Sequence, residues 1–134
     1  MKIRRPIIVK TILTEKSKSD LLHKMDDELR QLQIEMEQLQ FERRKLLAMA
    51  EKKGQDAIQY VQEKMDREMA KRETAQEEQT MRRQALLELP IDSEIVIDHT
   101  ETEVEVRIGH RWSQLITPIE IIIRDDIVVD IRGE

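Results

Sequence analysis

Leu22, Met25, Leu29, Leu32, Met36, Leu39, Arg43, Leu46 and Ala50 follow one another at alternating intervals of three and four residues, and Arg43 is the one polar member of the series. A 3.5-residue period keeps such a stripe turned toward a partner helix and implies a left-handed coiled coil. Glu, Gln, Lys and Arg fill the flanks, as a solvated helix surface requires. Thr14 is a suitable N-cap, and Glu15 places an acid where the helix dipole favours one. The pattern breaks at Lys52-Lys53-Gly54-Gln55-Asp56. Lysines suit a last turn, Gly is the usual residue just past a helix end, and Asp56 can cap a new helix. A second helix is expected from about Ala57 to Leu89, where Pro90 stops it. A connection this short makes the helices antiparallel. One continuous helix through Gly54 is the alternative, since a lone Gly costs only about 1 kcal/mol. Nearly equal arms and strand signals at both chain ends favour the hairpin.

Folding the chain at Gly54 sets a register: Leu46 faces Val61, Arg43 faces Met65, Leu39 faces Glu68, Met36 faces Arg72, Leu32 faces Ala75, Leu29 faces Gln79, Met25 faces Arg82 and Leu22 faces Leu86. The second helix thus answers an apolar stripe with Glu68, Arg72, Gln79 and Arg82. Arg43 and Glu68 are within reach of a pairing. Ile34, Phe41 and Leu47 lie off the seam and add to an apolar surplus on the first helix. Each uncovered Leu forgoes about 1.5–3 kcal/mol of burial. The surplus predicts closure mainly near the tip, at Leu46 and Val61, and a homo-oligomer or protein partner held through Leu22, Met25, Leu29, Leu32, Met36 and Leu39.

The ends carry a different period. Residues 3–12 read as a strand rich in β-branched side chains, with Pro6 near its start. Ile95-Val96-Ile97 reads as a second strand and His99-Thr100-Glu101 as a turn. Val104, Val106 and Ile108 alternate with Glu103, Glu105 and Arg107 as a third, half-buried strand. Gly109-His110-Arg111 reads as a bend. Ile119 to Ile123 and Ile127 to Ile131 are two more strands, joined by the tight turn Arg124-Asp125-Asp126. The expected fold is α+β: a strand over 1–13, a coiled-coil hairpin over 14–89, and a small β domain over 90–134, the chain ends together forming a five-stranded sheet or barrel. Trp112 is expected to anchor its core.

Composition narrows the function. The 134 residues include no Cys and are 38% charged, with one Trp, one Tyr and one Phe. Disulfides and thiolate metal sites are excluded. With no apolar run of about 18 residues and no signal-peptide core, a cytoplasmic protein without a membrane span is expected. The formal net charge of −5 is uneven: 1–24 carry +5, 25–89 carry −3 and 90–134 carry −7. Lys2, Arg4, Arg5 and Lys10 are candidate nucleic-acid contacts. A basic strand lying beside acidic strands of its own sheet accounts for them better and is preferred. Single-strand binders stack bases on several aromatics, and Trp112 is the only aromatic residue of the β region. Asp98, His99 and Glu101 repeat no metal-ligand spacing. No nucleophile cluster, glycine-rich loop or paired carboxylate points to catalysis, a cofactor or a small-molecule substrate.

Val9-Lys10-Thr11-Ile12-Leu13-Thr14-Glu15-Lys16-Ser17, Leu89-Pro90-Ile91-Asp92-Ser93-Glu94 and Gly109-His110-Arg111-Trp112 resemble the YlqD family of small bacterial and cyanobacterial proteins. The resemblance implies no assigned activity and no catalytic residues. It also implies a gene setting near ribosome-maturation genes in some bacteria. The expected function is therefore a non-catalytic structural or adaptor protein acting through its hairpin, with an RNA- or ribosome-associated assembly factor as the alternative.

Overall fold

The computed structural model describes residues 1–134 in the order β1 (Lys2–Ile12), α1 (Glu15–Glu51), α2 (Gln55–Glu88), β2 (Glu94–Glu105), α3 (Trp112–Ile116), β3 (Ile119–Arg124) and β4 (Ile127–Arg132). They divide into a β unit, residues 1–20 with 89–134, and a helical unit, residues 21–88.

In the β unit the helix start is capped reciprocally. The Ser17 backbone N–H donates to Thr14 Oγ1 (3.0 Å) and the Thr14 N–H donates to Ser17 Oγ (2.8 Å), which satisfies two amides that lack a partner in the first turn. Thr14 Oγ1 also donates to Asp125 (2.7 Å) in the β3–β4 turn. That turn has Asp125 and Asp126 at φ +46° and +68°, the two left-handed positions of a type I′ hairpin, which Asp tolerates better than most residues. Lys18 Nζ donates to the Leu89 carbonyl (2.7 Å) just past the end of α2.

The sheet has four strands in the order β2-β1-β3-β4; β1 is antiparallel to β2 and parallel to β3, and β3 is antiparallel to β4. It is open, so the expected fifth strand and barrel do not form. The two strands expected at 95–97 and 104–108 are one, β2, of 12 residues. His99, Thr100 and Glu101 are no turn; they pair with Ile8, Ile7 and Pro6. An 11-residue β1 offers partners along the whole length, and the extra residue Ile97 is absorbed as a bulge. Ile108 lies outside any strand and is fully exposed. A five-residue helix, α3, replaces part of the expected all-β region.

In the helical unit, Gly54 at φ +114° ends α1. The Gly54 and Lys53 N–H groups both donate to the Ala50 carbonyl (3.2 and 2.9 Å). Helix α2 starts at Gln55, so Asp56 sits in its first turn and not at its cap. The Ile58 N–H takes up the Gly54 carbonyl (3.2 Å).

Candidate interaction surfaces

The cross-helix partners fix the hairpin register. Arg43 bonds Asp66 (2.6 Å), Arg72 reaches Glu35 (3.7 Å), Gln79 donates to Glu28, and Arg83 donates to Asp26 (2.7 Å). Each contact lies within one residue of the register set by the turn at Gly54. The expected Arg43–Glu68 pair does not form. Glu68 is taken by Arg72 (2.7 Å) and Lys71 (3.3 Å) on its own helix. Closure is not confined to the tip either, because Asp26–Arg83 ties the arms near the opposite end. Arg83 holds the Asp26 carboxyl below its usual range, and Arg72, helped by Lys71, does the same for Glu68.

Leu22, Met25, Leu29, Leu32, Met36 and Leu39 are all half-buried, whereas Met65, Gln79 and Leu86 of α2 are buried. The α1 seam therefore already faces α2 in the hairpin and keeps only part of its apolar surface in water. Off the seam, Phe41 is 60% exposed under the Lys45 ammonium, 4.9 Å from its ring, and Ile34, Met49, Tyr60 and Met81 are exposed as well. The Arg72 Nε is buried without a hydrogen-bond partner.

Three of the four basic residues of β1, Lys2, Arg4 and Lys10, share one face of the sheet. Lys2 and Arg4 lie opposite acids of β2 and make loose exposed pairs with Glu103 (3.8 Å) and Glu101 (3.7 Å). Lys10 pairs with Glu120 at 2.6 Å. Arg5 falls on the other face and is only 8% exposed; its Nε donates to the Thr117 carbonyl (2.7 Å) and its Nη2 to the Gly133 carbonyl. Arg5 is thus a structural tie from β1 to the α3–β3 connection and the end of β4, and is corrected as a phosphate contact. The alternation Ile3, Arg5, Ile7, Val9 was the available signal, since it places Arg5 among aliphatics. Arg5 does the anchoring expected of Trp112, which is 59% exposed at the start of α3.

Residues directly opposite in a sheet share a face, so the registers define both faces. One is charged. Lys10, Glu120, Asp130, Arg132 and Glu94 lie on it, and Ile122 among them is buried. Arg132 of β4 forks onto Glu94 of β2 (2.7 and 3.1 Å). β2 and β4 are the two edge strands, three spacings of about 4.8 Å apart, and the long Arg132 and Glu94 side chains together bridge that span. Arg132 accordingly holds the Glu94 carboxyl below its usual range.

The other face is aliphatic. Strand β1 contributes Ile3, Ile7 and Val9, and β2 contributes Ile95 and Val104. Strand β3 adds Ile119, Ile121 and Ile123, and β4 adds Val128 and Ile131. None of these is buried; Val128 and Ile131 are 54% and 46% exposed.

No group of three or more His, Asp or Glu is placed to hold a metal ion, and no helix is long and apolar enough to cross a membrane. A cleft of about 530 Å³ opens beside Arg5, His110, Arg111 and Glu134. His110 Nδ1 accepts the Arg107 N–H (3.2 Å) there.

A family model described as YlqD protein matches residues 1–132. The chain belongs to the YlqD family. No curated protein matches it. Among solved structures, the crystal structure of a protein of unknown function from Synechococcus sp. WH 8102 superposes with a TM-score of 0.89 at 16% identity, covering 98% of this chain and 94% of that one. At that identity the likeness concerns the fold. In this YlqD chain the segment Gly109-His110-Arg111-Trp112 turns the backbone through Gly109 at φ +102° and delivers it to α3 with Trp112 outward.

Proposed function

We propose that this YlqD-family chain is a non-catalytic structural or adaptor protein whose coiled-coil hairpin mediates self-association. The observation that carries the reading is the incomplete closure of the α1–α2 seam. Its α1 members stay half-buried while Ile34, Phe41, Met49, Tyr60 and Met81 lie exposed on the same two helices. Apolar side chains at helical spacing on a solvated pair gain burial when another helix covers them. Sedimentation velocity on the full chain over a concentration series tests this. Assembly should follow mass action and weaken in the exposed-site double variant Ile34→Lys/Phe41→Lys. A wild type monomeric throughout, or a variant that assembles unchanged, overturns the reading.

A further inference from the structure

We infer that the aliphatic face of the four-stranded sheet is a second, separate interface, and that its occupant is the same face of a second copy of this chain. An ordinary sheet with one apolar and one charged face turns the apolar one inward onto a core. Here the buried Ile122 and the ion network share the charged face, and the aliphatic residues, among them Val9, Ile121, Ile123, Val128 and Ile131, stay incompletely covered. Within the β unit the only further element besides the first turn of α1 is α3, five residues long.

The two edges of the sheet are protected and this face is not. β2 carries Glu94, Asp98, Glu101, Glu103 and Glu105 along one edge. β4, at the other, is bulged at Val129, which pairs with no β3 residue, and carries Asp130 and Arg132. Charges and bulges are the usual devices against edge-to-edge pairing. On the aliphatic face the only charges are Asp98 and the tied, buried Arg5. Toward β3 and β4 the face is aliphatic without a charge, and Asp98 with Thr100 and Thr102 confines its unburied polar part to β2; a second copy offers the same uncharged aliphatic half as a match.

The size agrees. The four strands of 11, 12, 6 and 6 residues, at about 3.3 Å per residue and about 4.8 Å between strands, set an upper bound of roughly 550 Å² per copy, reduced where Arg5 and Thr11 are already buried. Two copies cover at most about 1,000 Å², the lower end of specific interfaces and the range of weak, reversible contacts. Packed about 10 Å apart, the sheets would form an eight-stranded sandwich.

The inference does not rest on the hairpin reading, and one experiment separates them. Sedimentation velocity is run on four full-length chains: wild type, the hairpin variant Ile34→Lys/Phe41→Lys, the sheet variant Val128→Lys/Ile131→Lys, and both combined. Val128 and Ile131 are half-exposed, so the lysines leave the fold intact, which circular dichroism checks. The sheet variant should raise the dissociation constant at least tenfold in both backgrounds. The chain lacks cysteine, so Ile131→Cys should form a disulfide-linked dimer on mild oxidation, which Glu134→Cys at the chain end does not match. Unchanged assembly of the sheet variant in both backgrounds, dissociation by the hairpin variant alone, or a wild type monomeric to about 200 µM overturns the inference.

Discussion

Arg72→Leu should stabilise the helical unit. Arg72 occupies a seam position, with its side chain 28% exposed and its Nε buried without a hydrogen-bond partner. Leaving such a donor unsatisfied costs about 1–3 kcal/mol. A Leu removes that cost and, buried over most of its surface against the α1 seam, adds about 1–2 kcal/mol. Opposing this are the loss of the cross-helix ion pair between Nε and Glu35 at 3.7 Å, about 0.2–1 kcal/mol, and of the Nη1 contacts with Glu68, its carboxylate at 2.7 Å and its carbonyl at 3.0 Å. Such i,i+4 pairs contribute about 0.3–0.5 kcal/mol. The balance favours the variant by about 2 kcal/mol, roughly 10 °C in midpoint for a unit of this size. Thermal melting followed at 222 nm, at one low concentration so that association contributes equally, reads the shift. An NMR titration should also find the Glu68 carboxyl relaxed upward, since Arg72 is the main cause of its depression. A midpoint unchanged or lowered would show that Arg72 contributes more to the seam than its geometry indicates, and would refute the reasoning.

Three further outcomes follow from the same contacts. Arg5→Ala should destabilise the β unit by about 2–4 kcal/mol in urea, because it strips a charged donor from two carbonyls, and Arg5→Lys should recover only part, lacking the guanidinium fork. Asp26, Glu68 and Glu94 all have folded-state carboxyls lowered by arginines; their stabilisation is complete above the unfolded value near 4 and is lost as pH falls through the lowered folded values, so the midpoint should hold from pH 7 to 5 and drop below about 4, and a midpoint flat to pH 2.5 would contradict this. Gly54→Ala meets no atom within 4 Å of the added Cβ, so its cost is that of the backbone conformation alone, about 1–2 kcal/mol by denaturant melts with self-association unchanged.

The hairpin was legible because periodicity and a single glycine specify it: once the turn sits at Gly54, every facing pair follows within a residue. The strand count was not. Thr100, Glu101 and Thr102 have no apolar alternation and look like a turn; they become strand because β1 runs on beside them, a tertiary effect that local pattern does not carry. Trp112 shows the opposite failure. Aromatic bulk suggested a core, but the polar carbonyls of Thr117 and Gly133 called for a donor at the junction, and Arg5 reaches both. The extent of the exposed apolar surface was hidden for a related reason. The heptad residues were visible as apolar but not as half-covered by α2, and the exposed Phe41 and the aliphatic sheet face emerge only when register assigns each side chain a side.

The position of β1 in the sheet has a consequence for how the chain comes into being. It is a central strand, made first, and its nearest partner Glu94 follows Ile12 by about 80 residues. Closing so long a loop costs about 4 kcal/mol of chain entropy, whereas helix formation is local and fast. The hairpin, once formed, brings the flanking segments back together, so that strand pairing starts from a loop already closed. At about 5–20 residues per second β1 waits on the ribosome for roughly 4–16 s. Throughout that wait Lys2, Arg4, Arg5, Pro6 and Lys10 flank Ile7-Ile8-Val9, the arrangement of charge and proline around an apolar run that disfavours pairing with a neighbouring chain. The cations that sequence alone offers to phosphate thus have a task before the molecule is complete.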